Sequence, residues 1–246
     1  MNSISPYLNI MIKASEKASK ILIRDFGEVE KLQVSLKGPN NFVTNADRKA
    51  EETIIKELEK SKKNFSILTE ESGFIENKDK DNFWIIDPID GTTNFLNGIP
   101  HFCTSIALLV DNEIIAGVTY DPIKDEIFYA EKNGGSYLNN KSIRVSKKNK
   151  ITDCIYGVNF RKDLPDNLLV RNTGSAALDL AYVSSGRFDC CLQKNVNLWD
   201  IAAGIVLIKE AGGVVDNFEL KKFNKISIKA SNERISSDLN KKINIF

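Results

Sequence analysis

The chain has 246 residues, of which 42% are hydrophobic and 27% are charged, a composition that supports a folded core in one large domain or two closely packed halves. Its 34 basic and 33 acidic side chains leave a net charge of +1, so neither a nucleic-acid groove nor attachment to a membrane surface is expected. No apolar run approaches the roughly 20 residues of a membrane span.

The N-terminal residues lack the basic-then-apolar order of a signal peptide. The four cysteines show no CxxC spacing, which predicts reduced thiols in a cytoplasmic protein; they are Cys103, Cys154, Cys190 and Cys191. A multi-histidine metal site is excluded because His101 is the only histidine. Any bound metal should therefore be a hard cation with oxygen ligands, Mg²⁺ or Mn²⁺.

In the first half of the chain, helices are predicted to precede strands. Apolar residues at helical spacing predict a helix over residues 4–26, ended near Gly27. A second helix is predicted to begin at Thr44, with Asp47 completing a capping box. The polar stretch 74–82 predicts a loop. Strands are predicted for the apolar runs 65–68, 83–86, 102–110, 113–120 and 125–131, of which 83–86 is apolar on both faces and should be interior.

After about residue 145, predicted strands and helices alternate. The predicted strands are 154–158, 188–192, 214–218 and 226–230, and the predicted helices are 175–184 and 201–211. This change of pattern divides the chain into an N-terminal α+β half, residues 1–145, and a C-terminal α/β half, residues 146–246.

The string DPIDGT, residues 87–92, carries the strongest chemical signal. A buried strand leads into Asp87, and Asp90 follows across a turn, so both carboxylates can face one cation. Gly91 lets backbone approach a bound anion closely, and free N–H groups near Thr92 can receive a phosphate. Asp-Gly turns are common by themselves, but the strand, the proline and both acids together indicate a site.

Four further acids can each have a structural or a functional role. Glu70 and Glu71 follow a strand and should point to opposite sides, so only one of them should face a metal. Asp200 stands at a predicted helix start, where an N-cap is the ordinary role, although a capping residue can also reach a cation. Asp47 is readily explained as part of its capping box.

These residues together resemble the inositol monophosphatase family. Residues 84–95 look like the first family signature, and the string WDIAAGIVLIKEAGG, residues 199–213, looks like the second. Residues 69–72 resemble the GEES element, with Thr69 where glycine is usual, and residues 174–178 resemble the substrate-side loop and helix. The resemblance implies a layered αβαβα sandwich and a lithium-sensitive, Mg²⁺-dependent phosphatase.

The resemblance also implies residue roles. Glu70, Asp87 and the Ile89 carbonyl would hold a first Mg²⁺, while Asp87, Asp90 and Asp200 would hold a second. A third ion would bind near Glu70 and Asp47 through water. Thr92 would orient the attacking water with help from Asp47, the amides of Gly91 and Thr92 would bind phosphate, and Asp90 and Ala176 would contact the sugar.

Two departures concern the substrate side. Gln193 stands seven residues before Asp200, where the inositol enzymes carry a glutamate, and the stretch 160–171 is too short for the usual family helix. These two departures bear on inositol selectivity and on the expected homodimer. A phosphorylated polyol or sugar is the expected substrate. The alternatives are histidinol phosphate, fructose 1,6-bisphosphate, 3′-phosphoadenosine 5′-phosphate, or a regulatory or scaffold role on the same fold.

Overall fold

Two long helices cover one face of an eight-stranded sheet. The structure, a computed structural model, describes residues 4–32, 40–162, 164–216, 220 and 224–243. Helix α1 spans Pro6–Leu32 and α2 spans Asn40–Lys62. Their buried side chains, such as Leu22 and Ile54, share a core with Trp84, Ile86 and Ile106 of the sheet. Helix burial here follows from apolar residues at i, i+3 and i+4 spacing.

The first sheet has the strand order β2-β1-β3-β4-β5-β6-β7-β8. Its strands are β1 Phe65–Thr69, β2 Gly73–Ile75, β3 Asp79–Asp90, β4 Cys103–Val110, β5 Glu113–Asp121, β6 Glu126–Glu131, β7 Gly135–Leu138 and β8 Lys141–Ser142. Strand β3 lies between β1 and β4, as predicted for the run 83–86. The β4–β5 turn uses Asp111 and Asn112 at φ 48° and 60°, backbone angles that Asp and Asn tolerate.

The second sheet has the order β10-β9-β11-β13-β12. Its strands are β9 Ile155–Val158, β10 Leu169–Arg171, β11 Cys190–Val196, β12 Gly213–Val215 and β13 Ile226–Asn232. The remaining helices are α3 Thr92–Leu96, α4 Ala176–Ser184, α5 Leu198–Glu210 and α6 Glu233–Lys242, with a 3₁₀ turn at Ile151–Asp153.

The buried clusters give the layer order. Helices α4 and α5 share one core with Phe83 and Ile85 of the first sheet and with Ile228 and Ala230 of the second, so they lie between the sheets. A separate cluster joins Tyr156 and Leu192 of the second sheet to Ile235 and Leu239 of α6. The layers are therefore α1/α2, sheet, α4/α5, sheet, α6, which confirms the αβαβα prediction.

Several element boundaries were predicted wrongly. Helix α1 continues past Gly27 to Leu32, because a glycine in helical backbone weakens a helix without ending it. Helix α2 begins at Asn40, so Asp47 lies inside the helix and completes no capping box. The loop predicted over 74–82 is wrong at both ends, because β2 extends to Ile75 and pairs with β1, and β3 begins at Asp79. The sequence also predicts a loop over residues 37–41; residues 40 and 41 belong to α2 instead, and residues 37–39 lie outside the described residues.

Among the described residues of 160–171 there is no helix, and β10 occupies the end of that stretch. The division at residue 145 stays a prediction, although the first sheet ends at Ser142 and the second begins at Ile155. All four cysteines are free and buried. None of the described helices is both long enough and apolar enough to cross a bilayer.

Candidate metal and phosphate site

Three carboxylates from two distant segments converge at the end of β3. Asp87, Asp90 and Asp200 each offer an oxygen, and these oxygens lie within 4.8 Å of one another. Asp87 and Asp90 would point to opposite faces of a regular strand, since side chains alternate. The pairing with β4 shifts register between them, from Asp87 opposite Ser105 to Asp90 opposite Cys103. This bulge adds one residue to β3 and brings both acids to one side.

Helix α5 brings Asp200 to the same place. Asp200 is the third residue of α5, and its Oδ2 accepts a 2.7 Å hydrogen bond from the backbone N–H of Asn197. The Asn197 side chain in turn accepts a hydrogen bond from the backbone N–H of Asp200, which completes a capping box. The N-cap prediction for Asp200 was wrong, because Asn197 is the N-cap and Asp200 takes part in the cap from the third position of α5. The cap orients the carboxylate that joins the cluster.

Helix α4 fixes Asp90 from the opposite side. Its Oδ2 accepts hydrogen bonds from the backbone N–H of Ala177, at 2.7 Å, and from the hydroxyl of Ser175. Ser175 is also the N-cap of α4, since its oxygen accepts from the N–H of Leu178. The sequence analysis did not identify Ser175 as a site residue. A serine at the start of a predicted helix indicates an N-cap, and this was the feature that could have identified it.

Glu70 and Asp47 complete the acidic group. Glu70 lies in the turn after β1, close to the carboxyl groups of Asp87 and Asp200. Glu71 lies instead near Glu51 and Arg48, so only Glu70 approaches the three aspartates. Asp47 projects from α2 and is 3% exposed.

The acids raise one another's pKa values. Burial raises the pKa of Asp47 to about 8, helped by the charges of Glu71, Glu70 and Glu51. Burial and the charges of Glu70, Asp90 and Asp200 raise the pKa of Asp87 well above its ordinary value. Close like charges in a poorly solvated place disfavour ionisation. Bound cations would offset the repulsion between the carboxylates and so favour their ionised forms.

The donor set fits a hard divalent cation. All of its atoms are oxygens, which Mg²⁺ prefers. The Oδ1 atoms of Asp47 and Asp87 are buried and have no hydrogen-bond partner among the described residues. Unpaired buried carboxylate oxygens are rare because their desolvation is costly. An ion or its bound water would supply the missing partners.

A glycine turn lies beside the carboxylates. Gly91 has φ 98° and precedes α3 as its N-cap. A Cβ at this position would lie 3.0 Å from the carbonyl oxygen of His101 and 3.2 Å from the Cβ of Phe102, so only glycine fits. The Thr92 hydroxyl donates a 2.9 Å hydrogen bond to the Ile89 carbonyl. That carbonyl keeps a second lone pair.

The cluster opens into a cavity of about 200 Å³. Asp90, Asp200, Ala176, Asp179 and Gln193 contribute to its lining. Gln193 donates from Nε2 to Asp179 Oδ2 at 3.0 Å, and its Oε1 is buried without a partner among the described residues. Burial raises the pKa of Asp179 to about 8. Asp179 also escaped the sequence analysis, since an acid inside an apolar helix carries no motif.

Every residue predicted for the site lies in this region. The structure brings Asp87, Asp90 and Asp200 into one group, with Glu70 and Asp47 beside it. Gly91, Thr92 and Ile89 form the adjoining turn. Ala176 and Gln193 line the cavity. The roles of these residues in binding and catalysis remain predictions.

Comparison with known proteins agrees with this arrangement. The sequence model of the Inositol monophosphatase family matches residues 3–244. An inositol-1-monophosphatase of Mesorhizobium japonicum is 46% identical over 230 residues, covering 87% of this chain and 86% of the relative. The Nus factor SuhB of Pasteurella multocida is 41% identical over 230 residues, covering 87% and 86% of the two chains.

Solved structures show the same fold. The extragenic suppressor protein SuhB of Bartonella henselae superposes with a TM-score of 0.86 at 40% identity, covering 97% of this chain and 99% of that chain. An inositol monophosphatase from Anabaena superposes with a TM-score of 0.81 at 35% identity, covering 96% and 94%. The chain therefore belongs to the inositol monophosphatase family.

Proposed function

We propose that this protein is a Mg²⁺-dependent phosphomonoesterase that hydrolyses inositol monophosphate or a related small polyol phosphate. The observation that carries the proposal is the convergence of Asp87, Asp90 and Asp200 within 4.8 Å. Family membership supports a phosphatase with a small phosphorylated substrate. A cytoplasmic location, sensitivity to lithium and a homodimer are part of the same proposal.

Two to three Mg²⁺ ions would be held by this chain's oxygens. Glu70, Asp87 and the Ile89 carbonyl would form one set, and Asp87, Asp90 and Asp200 the other. A third ion would bind through water near Glu70 and Asp47. Bound Mg²⁺ would acidify a water and neutralise charge on the leaving oxygen.

The other residues of the site would position the phosphate and the attacking water. The amides of Gly91 and Thr92 would bind the phosphate oxygens, and the Thr92 hydroxyl would orient the attacking water. Asp47 Oδ1 has no protein partner among the described residues and would accept a hydrogen bond from that water. Such a site needs no covalent step, because phosphoryl transfer depends mainly on placement and electrostatics.

On the substrate side, the cavity suits a neutral polyol. Asp90 and the Ala176 segment would contact the sugar. The buried Oε1 of Gln193 has no partner among the described residues and would accept a hydrogen bond from a hydroxyl group of the substrate. Beside Asp179, a second phosphate would meet another carboxyl group, so fructose 1,6-bisphosphate and 3′-phosphoadenosine 5′-phosphate fit less well. Histidinol phosphate remains an alternative in the same enzyme class.

The test is phosphate release from a panel of these monoesters with Mg²⁺. We expect activity that needs Mg²⁺, is inhibited by Li⁺ and falls at least about 100-fold in Asp90→Asn, since even outer partners of metal ligands contribute 10–100-fold. Asp81→Asn, an exposed acid on the same strand, is the matched control. Turnover undiminished by EDTA would contradict the proposal.

A second candidate is a regulatory role, favoured by the relatives named Nus factor SuhB. Asp90→Asn separates the two functions, because a binding role needs the fold and not the metal ligand. In cells that lack the gene, restoration of growth by catalytically inactive Asp90→Asn would favour regulation. Restoration by the wild-type chain alone would favour catalysis.

A further inference from the structure

Among the acids of the site, Glu70 depends most on its surroundings for its position. Asp87 and Asp90 lie on a central strand, and Asp200 lies in a capped helix turn. Glu70 instead stands in an exposed turn between β1 and β2. Its backbone is held by no sheet ladder at that point, so another contact must fix where its carboxylate lies.

That contact is Glu51. Glu51 lies one helical turn after Asp47 on α2 and is 2% exposed. Its Oε2 accepts from the Thr69 hydroxyl at 2.5 Å and from the backbone N–H of Glu71 at 3.1 Å. Its Oε1 accepts from the hydroxyl of Ser72.

Two of these donors, Thr69 and Glu71, are the neighbours of Glu70 in the chain, and Ser72 is two residues further on. A carboxylate is suited to this task because its two oxygens offer about four acceptor positions, whereas an amide offers half of them. Hydrogen bonds to a charged acceptor are also roughly twice as strong as neutral ones. One buried side chain thus ties the whole turn to α2, the helix that also carries Asp47.

We infer that Glu51 is a positioning residue that holds the Glu70 turn in its metal-binding geometry, with the Thr69 hydroxyl as a second part of the same device. The inference rests on the proposed Mg²⁺ function of this site. Thr69 makes the inference specific to this chain. The GEES element, which residues 69–72 resemble, usually has glycine at this position, and glycine has no hydroxyl to donate.

The test measures Mg²⁺ binding directly, by titration calorimetry without substrate, in Glu51→Gln and Thr69→Val. Phosphatase activity against Mg²⁺ concentration is the second readout. Loss of a partner that orients a metal ligand typically weakens metal affinity about 10–100-fold. We expect a rise in the Kd for Mg²⁺ of about 10-fold in Glu51→Gln and about 3-fold in Thr69→Val, with kcat recovered at saturating Mg²⁺.

Matched controls separate positioning from general damage. Glu52→Gln and Thr53→Val make the same changes on outward positions of α2 and should leave the Kd unchanged. Thr69→Ser keeps the hydroxyl and should bind Mg²⁺ like the wild type. If Glu51→Gln fails to fold, Thr69→Val is compared with Thr69→Ser, and a higher Kd for Mg²⁺ in Thr69→Val alone would support the inference.

Two results would overturn the inference. One is a folded Thr69→Val or Glu51→Gln whose melting temperature falls while its Kd for Mg²⁺ stays within about two-fold, since outer partners that orient a ligand give larger effects. The other is a wild-type protein that binds no Mg²⁺, which removes the proposed function as well. A wild type that binds Mg²⁺ but hydrolyses no monoester would defeat only the proposed function, and the predicted Kd shifts would still support the role of Glu51.

Discussion

Single residues of the site are poorly suited to a protein interior without a bound cation. Asp87 is 1% exposed, and its Oδ1 has no partner among the described residues. Its pKa is raised by burial first and by Glu70, Asp90 and Asp200 next. Such an arrangement costs stability in the metal-free protein. Selection for folding alone would not assemble it, so the cluster is best explained by cation binding.

Gln193 is the residue where substrate preference can be tested. Its Nε2 donates to Asp179, and its Oε1 is buried without a hydrogen-bond partner among the described residues, in a side chain that lines the cavity. In Gln193→Glu, two carboxyl groups would meet and the substrate would face an acid. We expect the KM ratio between inositol monophosphate and other monoesters to change about 10-fold or more, the scale of one charge-assisted hydrogen bond.

The maximal rate should change less than this ratio, because the hydrogen bonds that the structure describes for Gln193 go to Asp179 and Cys191 and not to a proposed metal ligand. Steady-state kinetics on the substrate panel measures both quantities. Asn112→Asp adds the same charge at an exposed position in the β4–β5 turn, outside the cavity lining, and should affect all substrates alike. An equal loss for every substrate in Gln193→Glu would argue against a role in selectivity.

Residues with a motif could be predicted from the sequence, and residues without one could not. DPIDGT and the glycine at residue 91 indicated both the cation and the anion partner. Ser175, Asp179 and Glu51 support the site through contacts with residues 14 to 85 positions away. No local pattern encodes such pairs, because they depend on how the layers stack.

At the scale of elements, the packing of α5 determines where Asp200 lies. The small residues Ala202, Ala203 and Gly204 keep α5 thin, and the helix packs tightly against its neighbours. A Cβ on Gly204 would lie 2.4 Å from the Cβ of Leu180 in α4. On the other side, a Cβ on Gly117 of β5 would lie 2.8 Å from the Cα of Ala203.

Gly204→Ala should therefore destabilise the protein. The added methyl must push α4 and α5 apart, and overpacking of this kind costs about 1–3 kcal/mol. Urea unfolding followed by far-UV circular dichroism measures the change. Gly27→Ala is the matched control: it adds a methyl within α1 where nothing lies within 4 Å, and it should stabilise the helix by about 0.5–1 kcal/mol. Equal effects of the two changes would show that α4 and α5 are not closely packed.

Element types were easier to predict than element ends. Alternation and helical spacing predicted strands β3 to β6 and helices α4 and α5, since their apolar faces are continuous. The start of α2 and the strand β2 were missed, because short polar segments take their structure from neighbours. In β2, Phe74 pairs opposite Leu68 of β1, a contact that only the folded sheet creates.

For the whole molecule, the sequence pattern predicted an α+β part and an α/β part, while the layer order came from resemblance. Periodicity shows which face of an element is apolar but not which partner covers it. The core that joins Phe83, Leu180 and Ile228 uses both sheets and the helices between them. For this reason the division at residue 145 stays a prediction about sequence pattern and says nothing about independent folding.

The acids of the site also predict how stability depends on pH. Asp47 has its pKa raised to about 8 in the folded protein, while an unfolded aspartate titrates near 4. Between these values the folded chain keeps a proton that the unfolded chain has lost. The contribution of Asp47 to stability without Mg²⁺ should therefore be greatest below about pH 4 and fall towards pH 8, by about 1.4 kcal/mol per pH unit for each retained proton.

Mg²⁺ should reverse most of this dependence, because it binds ionised carboxylates and so competes with their protons. Thermal melts from pH 5 to 8, with and without 10 mM Mg²⁺ (roughly the excess over Kd that linkage requires), measure the effect. The stabilisation by Mg²⁺ should increase with pH.

Some dependence of stability on pH should remain with Mg²⁺ bound, since burial also raises the pKa of Asp179 to about 8 and Asp179 lies outside the proposed ligand set. Asp47→Asn should reduce the Mg²⁺-free slope by about one proton. Melting temperatures that rise with pH in the absence of Mg²⁺ would mean that the acids are ionised in the metal-free fold, and the cation would then have little repulsion to relieve.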